Sequence, residues 1–255
     1  MKKSKPKKTG KKKTTKNNKK RLKIVKWTSL SILVLTAITI FLLSDLFNIK
    51  EIKVLDNNKL TGAEIIQLSK IEIDQNMFKF LKIKAIENIK TNPYIETVKI
   101  KRKLNGTVEI KVTERVATFM LPIDEEYAYI NNQGYILEKN PERLEIPEII
   151  GYTTENLEPG ERLDIPDLKK LNFVIQILSS AKEKGLAEKI TNINIENDEN
   201  FIIVMEEEGK TINFGNSKEI NDKFVKLTAV LEDTAGEKGE VFLQNIDKVY
   251  FRKEV

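Results

Sequence analysis

Residues 27–43 (WTSLSILVLTAITIFLL) carry no charge, and the polar members of that run are only Ser and Thr. Such hydroxyls can bond back to helix carbonyls and are tolerable in lipid. A helix over 24–44, at about 1.5 Å per residue, covers roughly 30 Å, the thickness of a bilayer core. Trp27 and Phe47 sit near the two ends, where aromatic rings favour the membrane interface. The pattern predicts one transmembrane helix over 24–46. The residues after it, LLSDLFN, lack the small-x-small signature of a cleavage site, and no second apolar run exists to form a helical hairpin. An uncleaved anchor is expected.

Beyond the anchor the apolar spacing shortens and alternates. Ile49, Ile52 and Val54 open a short strand, and Asn57-Asn58 turns the chain. Thr61 and Glu64 fit a capping box for a helix carrying Ile65, Ile66 and Leu68. After NMFKF (76–80), Ile83, Ile86 and Ile89 lie one turn apart on a second helix that Pro93 stops. Val98, Ile100 and Arg102, then Val108, Ile110 and Val112, give two closing strands. The order is β-α-α-β-β.

The turn between those last strands is constrained by its flanks. A two-residue Asn105-Gly106 loop pairs Ile100 with Lys111 and puts the two apolar rows on opposite faces. Adding Leu104 to the loop pairs Ile100 with Ile110 and Val98 with Val112, so both rows share a face. One buried face demands the second register. The expectation is a three-residue loop with Gly106 in a left-handed conformation.

The remainder of the chain reads as mixed strand and helix. Tyr127–Ile130 leads through Asn131-Asn132-Gln133-Gly134 into Tyr135-Ile136-Leu137, a hairpin. A helix is expected over about 167–184, with Leu168, Leu171, Ile175 and Leu178 on one face and Gly185 as its stop. Strands at 191–196 and 201–206 flank a turn at 197–200, and Glu208-Gly209-Lys210 turns into a strand at 211–215. Ser217 precedes, as a cap, a last helix carrying Ile220, Phe224, Leu227 and Leu231. A final strand spans 245–252.

Charge orients the anchor. Residues 1–26 hold 14 Lys or Arg and no acid, whereas the first acid is Asp45. Positive flanks stay in the cytoplasm, so the N-terminus is expected inside and the rest translocated. The chain has 44 bases and 38 acids, a net of +6; removing the 14 leaves 30 bases against 38 acids after residue 26, a net of −8. The headline charge thus averages a basic arm and an acidic outer region. An arm rich in Lys without apolar periodicity is expected to be disordered. It has no aromatic residue to stack on a base, which favours anionic lipid headgroups over nucleic acid as its contact.

The inventory excludes much chemistry. There is no cysteine and no histidine, which removes disulfides, Cys/His zinc sites, Cys nucleophiles and Ser-His-Asp arrangements. No Gly-rich phosphate loop is present, and the acids fall in no recognisable catalytic motif. No enzyme activity, metal or cofactor is expected.

The stretch FNIKEIKVLDNNKLTGAEI, then NMFKF, then NPYIETVKIKRKLNGTVEIKVTERVATFMLP resembles the POTRA domain of the FtsQ/DivIB cell-division family. Asn92-Pro93-Tyr94-Ile95-Glu96, the Arg102 strand end and Glu114-Arg115 carry the likeness most specifically. Residues 127–137, the LEIP stretch at 144–147 with Gly151, and the closing 245–252 are similar to that family's β domain, although Lys248 and Tyr250 depart from its usual closing strand. The resemblance implies an α+β chain in four parts: a disordered basic cytoplasmic tail (1–23), a transmembrane helix (24–46), a POTRA domain (47–115), and a mixed β-sheet domain with two helices and a C-terminal edge strand (116–255). It further implies a bitopic, single-pass membrane scaffold of the divisome, enriched at the septum. Its partners would be FtsL-like and FtsB/DivIC-like coiled-coil membrane proteins and, through them, the septal peptidoglycan synthase complex. The implied docking residues are Lys248, Tyr250, Phe251, Arg252 and Lys253, whose cations suit an acidic strand. Basic residues on an edge are also a common guard against aggregation. Two other classes stay open: a POTRA protein of polypeptide transport or outer-membrane assembly, which the lack of repeated ~10-residue barrel strands argues against, and a membrane-anchored wall hydrolase working through carboxylates.

Overall fold

The computed structural model describes residues 14–254. The fold is α+β, with an N-terminal apolar helix, a POTRA-type β-α-α-β-β segment and a mixed-sheet region. The chain forms two compact units. One holds the described residues up to Leu55 with Thr61–Ile86 and Lys99–Lys111; the other holds Asp56–Leu60, Glu87–Val98 and everything from Val112.

Helix α1 (Thr14–Leu42) opens the first unit. It extends well N-terminal of the expected span, so residues 14–23 are helical where the sequence pointed to disorder. Lys, Arg and Leu are good helix formers, and a helix nucleated in the apolar run propagates outward through them. The expectation for 1–13 lies outside the described residues. Within α1 the segment Lys23–Leu42 is long and apolar enough to cross a membrane. Four of its five hydroxyls are turned onto its own backbone. Thr28 donates to Val25 O, Ser31 to Trp27 O, Thr36 to Ile32 O and Thr39 to Leu35 O, each at 2.9 Å.

The helix ends in polar hands. Buried Asn76 donates to both Leu42 O and Ser44 O at 3.0 Å, satisfying carbonyls that a helix C-terminus leaves open. A 3-10 turn (Asp45–Phe47) follows, and Met77 N–H donates to Phe47 O at 2.9 Å. Phe47 lies edge-on to Phe41 (5.3 Å) and to Phe78 (5.4 Å). Arg102 closes the group, with its guanidinium 4.3 Å from the Phe80 ring and a 2.6 Å bond to Phe80 O.

Strand β1 (Glu51–Leu55), helices α2 (Gly62–Ser69) and α3 (Lys82–Ile89), and strands β2 (Ile95–Arg102) and β3 (Thr107–Glu114) follow in the expected order. The sheet order is β1-β3-β2, with β1 parallel to β3. The α2 capping box is complete: Glu64 N–H donates to Thr61 Oγ1 at 3.2 Å, and Thr61 N–H to Glu64 Oε2 at 2.7 Å. On α3 the buried positions are Ala85 and Ile89, one i,i+4 step apart, whereas Ile83 is exposed. The isoleucine spacing therefore named only part of the inner face.

The β2–β3 hairpin takes the register that a single buried face requires. Lys103 N–H donates to Thr107 O at 2.8 Å around a Leu104-Asn105-Gly106 loop, and Gly106 has φ +91°. In the same register the Thr97 and Thr113 hydroxyls bond at 2.9 Å. Val98, Ile100, Val108, Ile110 and Val112 are all buried.

The second unit is built on a nine-stranded mixed sheet. Its strands are β4 (Phe119–Ile123), β5 (Glu126–Ile130), β6 (Ile136–Asn140), β7 (Glu148–Ile150), β8 (Asn192–Asn194), β9 (Phe201–Met205), β10 (Lys210–Gly215), β11 (Gly239–Phe242) and β12 (Tyr250–Lys253). They are ordered β12-β11-β10-β9-β8-β7-β4-β5-β6. Two pairs of parallel neighbours are joined by crossover helices: β7 to β8 through α4 (Ile165–Glu183), and β10 to β11 through α5 (Ile220–Asp233). Parallel neighbours need such a connection, and these two helices supply it. Both lie against the core, where Phe173, Phe214 and Phe224 form a ring series and Ser180 donates to Asn221 at 2.8 Å.

Three details differ from the sequence reading. The inner face of α4 is Leu171, Val174, Ile177 and Ala181, with Leu168, Ile175 and Leu178 at its margin. Asp167, in the first turn of α4, is buried and accepts from Thr153 N–H, Thr154 N–H and the Thr154 hydroxyl at 2.7 Å each. Ser217 does not cap α5; Glu219 stands there in a left-handed conformation with φ 57°.

The motif residues that carried the likeness have structural work. Glu114 and Arg115 form no ion pair with each other, contrary to the simplest reading of two adjacent opposite charges. Glu114 instead accepts from the backbone N–H groups of Asn58, Lys59 and Leu60 at 2.7–3.1 Å, closing the 56–60 turn. Arg115 donates to Pro93 O at 2.8 Å and Ile95 O at 2.7 Å.

Candidate functional site

The last strand, β12, is one end of the nine-stranded sheet. Among the described residues it pairs only with β11, antiparallel, with Gly239 opposite Lys253, Glu240 opposite Arg252, Val241 opposite Phe251 and Phe242 opposite Tyr250. Two bonds fix which backbone groups are used. Gly239 N–H donates inward to Gly209 O at 3.0 Å, and Glu254 N–H donates to Lys238 O at 2.9 Å. Alternation along an antiparallel ladder then assigns Tyr250 and Arg252 to β11. The N–H and C=O groups of Phe251 and Lys253 point away from the sheet, and among the described residues no hydrogen bond reaches them.

The two faces of this edge differ. On the core face Phe251 packs beside Val241, and its ring lies 5.1 Å from the ammonium of buried Lys210. Lys210 is itself held by Thr234 O at 3.0 Å and by Glu237 O. On the opposite face Tyr250, 55% exposed, stacks on Phe242 at 4.5 Å with the rings 10° from parallel. Arg252 lies over the other side of that pair, 5.1 Å from the Phe242 ring. Aromatic and cross-strand pairs of this kind stabilise a two-strand ribbon by a few tenths to about 1 kcal/mol each. They hold β12 straight with one side unused.

The cations are less free than the sequence implied. Arg252 is paired with Glu240 at 2.6 Å and Lys253 with Glu237 at 3.1 Å. Lys248 is exposed on the 3-10 turn (Ile246–Lys248) that precedes the strand. The five residues named from the sequence are thus brought to one edge, but two of the three charges are already spoken for within the chain.

Sequence reasoning missed β11, and with it Gly239. A Cβ built there lies 2.2 Å from Arg252 O and 2.8 Å from the Phe251 ring. Only a glycine lets β12 lie flat at that point. The available signal was Val241 and Leu243 alternating after a glycine, too short a run to separate from loop.

An apolar helix of membrane-crossing length, a β-α-α-β-β segment and a mixed sheet with an open terminal strand define the class by architecture: an α+β protein of membrane-anchor type. Residues 47–115 match the family model described as POTRA domain, FtsQ-type, and residues 120–255 match the one described as FtsQ/DivIB, C-terminal related. The chain belongs to the FtsQ/DivIB family. It is 30% identical over 188 residues to cell division protein DivIB of Clostridium tetani, covering 72% of this chain and 70% of that protein. It is 34% identical over 161 residues to DivIB of Clostridium acetobutylicum, covering 62% and 64%, and 35% identical over 152 residues to DivIB of Clostridium botulinum strain Loch Maree, covering 58% and 59%.

Proposed function

We propose that this protein is a bitopic scaffold of the divisome that works by binding, without chemistry of its own. The anchor crosses the cell membrane with the basic arm inside, and the POTRA domain and the β domain act outside, at the septum. The β domain recruits small single-pass coiled-coil proteins of the FtsB/DivIC and FtsL types, and through them supports septal peptidoglycan synthesis. The observation carrying this reading is the outward row of unpaired backbone groups on β12. An extended segment of a partner can add to it as a further strand, with main-chain bonds giving affinity and the Tyr250–Phe242 face giving selectivity. Membership in a family of cell division proteins supports the setting.

The test uses the intact protein in detergent-solubilised cells beside two variants. Lys253→Pro removes an outward N–H without touching the ladder to β11, whereas Lys253→Ala removes only the charge. Small coiled-coil division proteins are expected to co-purify with the intact chain and Lys253→Ala and to be lost from Lys253→Pro. Their retention on Lys253→Pro rejects strand addition at this edge.

A further inference from the structure

The segment that caps the anchor helix also carries exposed apolar residues and lysines. Asn76 holds the carbonyls of Leu42 and Ser44, so it sits where the membrane-length segment of α1 ends. Within the next few residues Leu81 is 60% exposed and Ile83 72% exposed, and Leu46, on the turn after the helix, is 70% exposed. The backbone leading into Leu81 is held in place, because Arg102 donates to the Phe80 carbonyl and lies over the Phe78 and Phe80 rings. Lys79, Lys82 and Lys84 alternate with them, and residues 75–86 contain no Asp or Glu.

We propose that Leu46, Leu81 and Ile83 dip into the bilayer surface at the C-terminal end of the anchor, with Lys79, Lys82 and Lys84 on anionic phospholipid headgroups. Continuity decides the occupant. The segment is hydrogen-bonded to the end of a membrane-length helix, so the interface is the surface already beside it. Apolar side chains flanked by lysines are the composition that interfacial segments use, and each lysine near an anionic surface favours binding by about fivefold. Leaving three large apolar side chains in water at this place has no other compensation among the described residues. The first unit is then fastened to the membrane at two points, the helix and this segment, which fixes how that unit leans on the bilayer.

The absence of cysteine makes a direct test simple. The full chain carrying Ile83→Cys, labelled with an environment-sensitive fluorophore, is reconstituted into vesicles of phosphatidylcholine alone or with phosphatidylglycerol. A Thr91→Cys label, past the far end of α3, serves as reference. The expected result is quenching of the Ile83 label by lipid-borne quenchers in the anionic vesicles, with little quenching by aqueous iodide. Combined Lys79→Glu, Lys82→Glu and Lys84→Glu should reduce lipid quenching to the Thr91 level, while circular dichroism stays unchanged. A label open to iodide and untouched by lipid quenchers overturns the proposal. Equal quenching in both vesicles overturns the choice of anionic lipid. Shielding from iodide only when a second protein is present overturns it in favour of a protein contact.

Discussion

The nine-stranded sheet has two edges, and they are finished differently. At the start of the β6 edge, over residues 134–136, the chain returns over itself. Ile136 N–H donates to Glu161 O at 2.9 Å, Gly160 N–H to Ile136 O at 2.8 Å, and Leu163 N–H to Gly134 O at 2.9 Å. Arg162 adds a 2.8 Å bond to Gln133 O and lies over the Tyr135 ring. The β12 edge has no such cover among the described residues. An uncovered edge is a hazard that proteins commonly blunt, and here a returning segment blunts the start of one of the two. The difference teaches where the proposed partner is to be sought: the chain spares a segment to cover one edge and none, among the described residues, to cover the other.

The comparison can be broken most severely at Gly239. Gly239→Val drives a side chain into the β12 backbone, and we expect a local cost of about 2–3 kcal/mol. Protease sensitivity should rise at residues 249–254, and partner capture should be lost while the covered edge stays intact. Asp167→Asn attacks the other edge from a distance. Asp167 pins Thr153 and Thr154, and the Thr154 hydroxyl in turn accepts from Asp164 N–H at 3.0 Å, so the 151–164 cover is anchored at both ends of its path. Replacing a carboxylate that accepts several bonds in a buried place is expected to cost about 1–3 kcal/mol, read as a shift in the denaturation midpoint.

The same residue gives a pH dependence. Burial pushes the Asp167 carboxyl up, but the Thr154 hydroxyl, the two N–H donors and the Thr153 hydroxyl together outweigh it, so the group sits below its ordinary value. The unfolded chain then holds a proton that the folded chain has released. Stability from this group is complete above the ordinary carboxylate range near pH 4 and is lost as pH falls through its depressed folded value. Hydrogen exchange at Ile136 should quicken in that window in the wild type, and Asp167→Asn should flatten the response. Arg162→Ala is a milder opening of the covered edge, expected to cost about 1 kcal/mol and to quicken exchange at Leu163. The smallest effect belongs to Lys253→Ala, whose exposed ion pair with Glu237 is expected to change stability by less than about 1 kcal/mol.

The parts legible in the sequence were those decided locally. The Thr61–Glu64 box, the hairpin register around Gly106 and the apolar run of α1 each rest on residues within a few positions of one another. The strands β4, β7 and β11 were not legible. Each has three to five residues, β4 contains Pro122, and β7 and β11 each lie beside a parallel neighbour reached only through a crossover helix. The site shared this split. Four of its five residues, Tyr250 to Lys253, form the closing strand and Lys248 lies on the 3-10 turn before it; which backbone groups face outward depends on the pairing with β11, and the loss of free charge on Arg252 and Lys253 depends on acids at 240 and 237.

The parallel step from β10 through α5 to β11 has a consequence in time. A parallel neighbour can pair only once its long crossover has been closed, and such non-local pairings are slow. Strand β12 lies beyond that step and has only β11 to lie against. The open edge is therefore expected to be completed late in folding, an order that pulse-labelled hydrogen exchange at Arg252 would read.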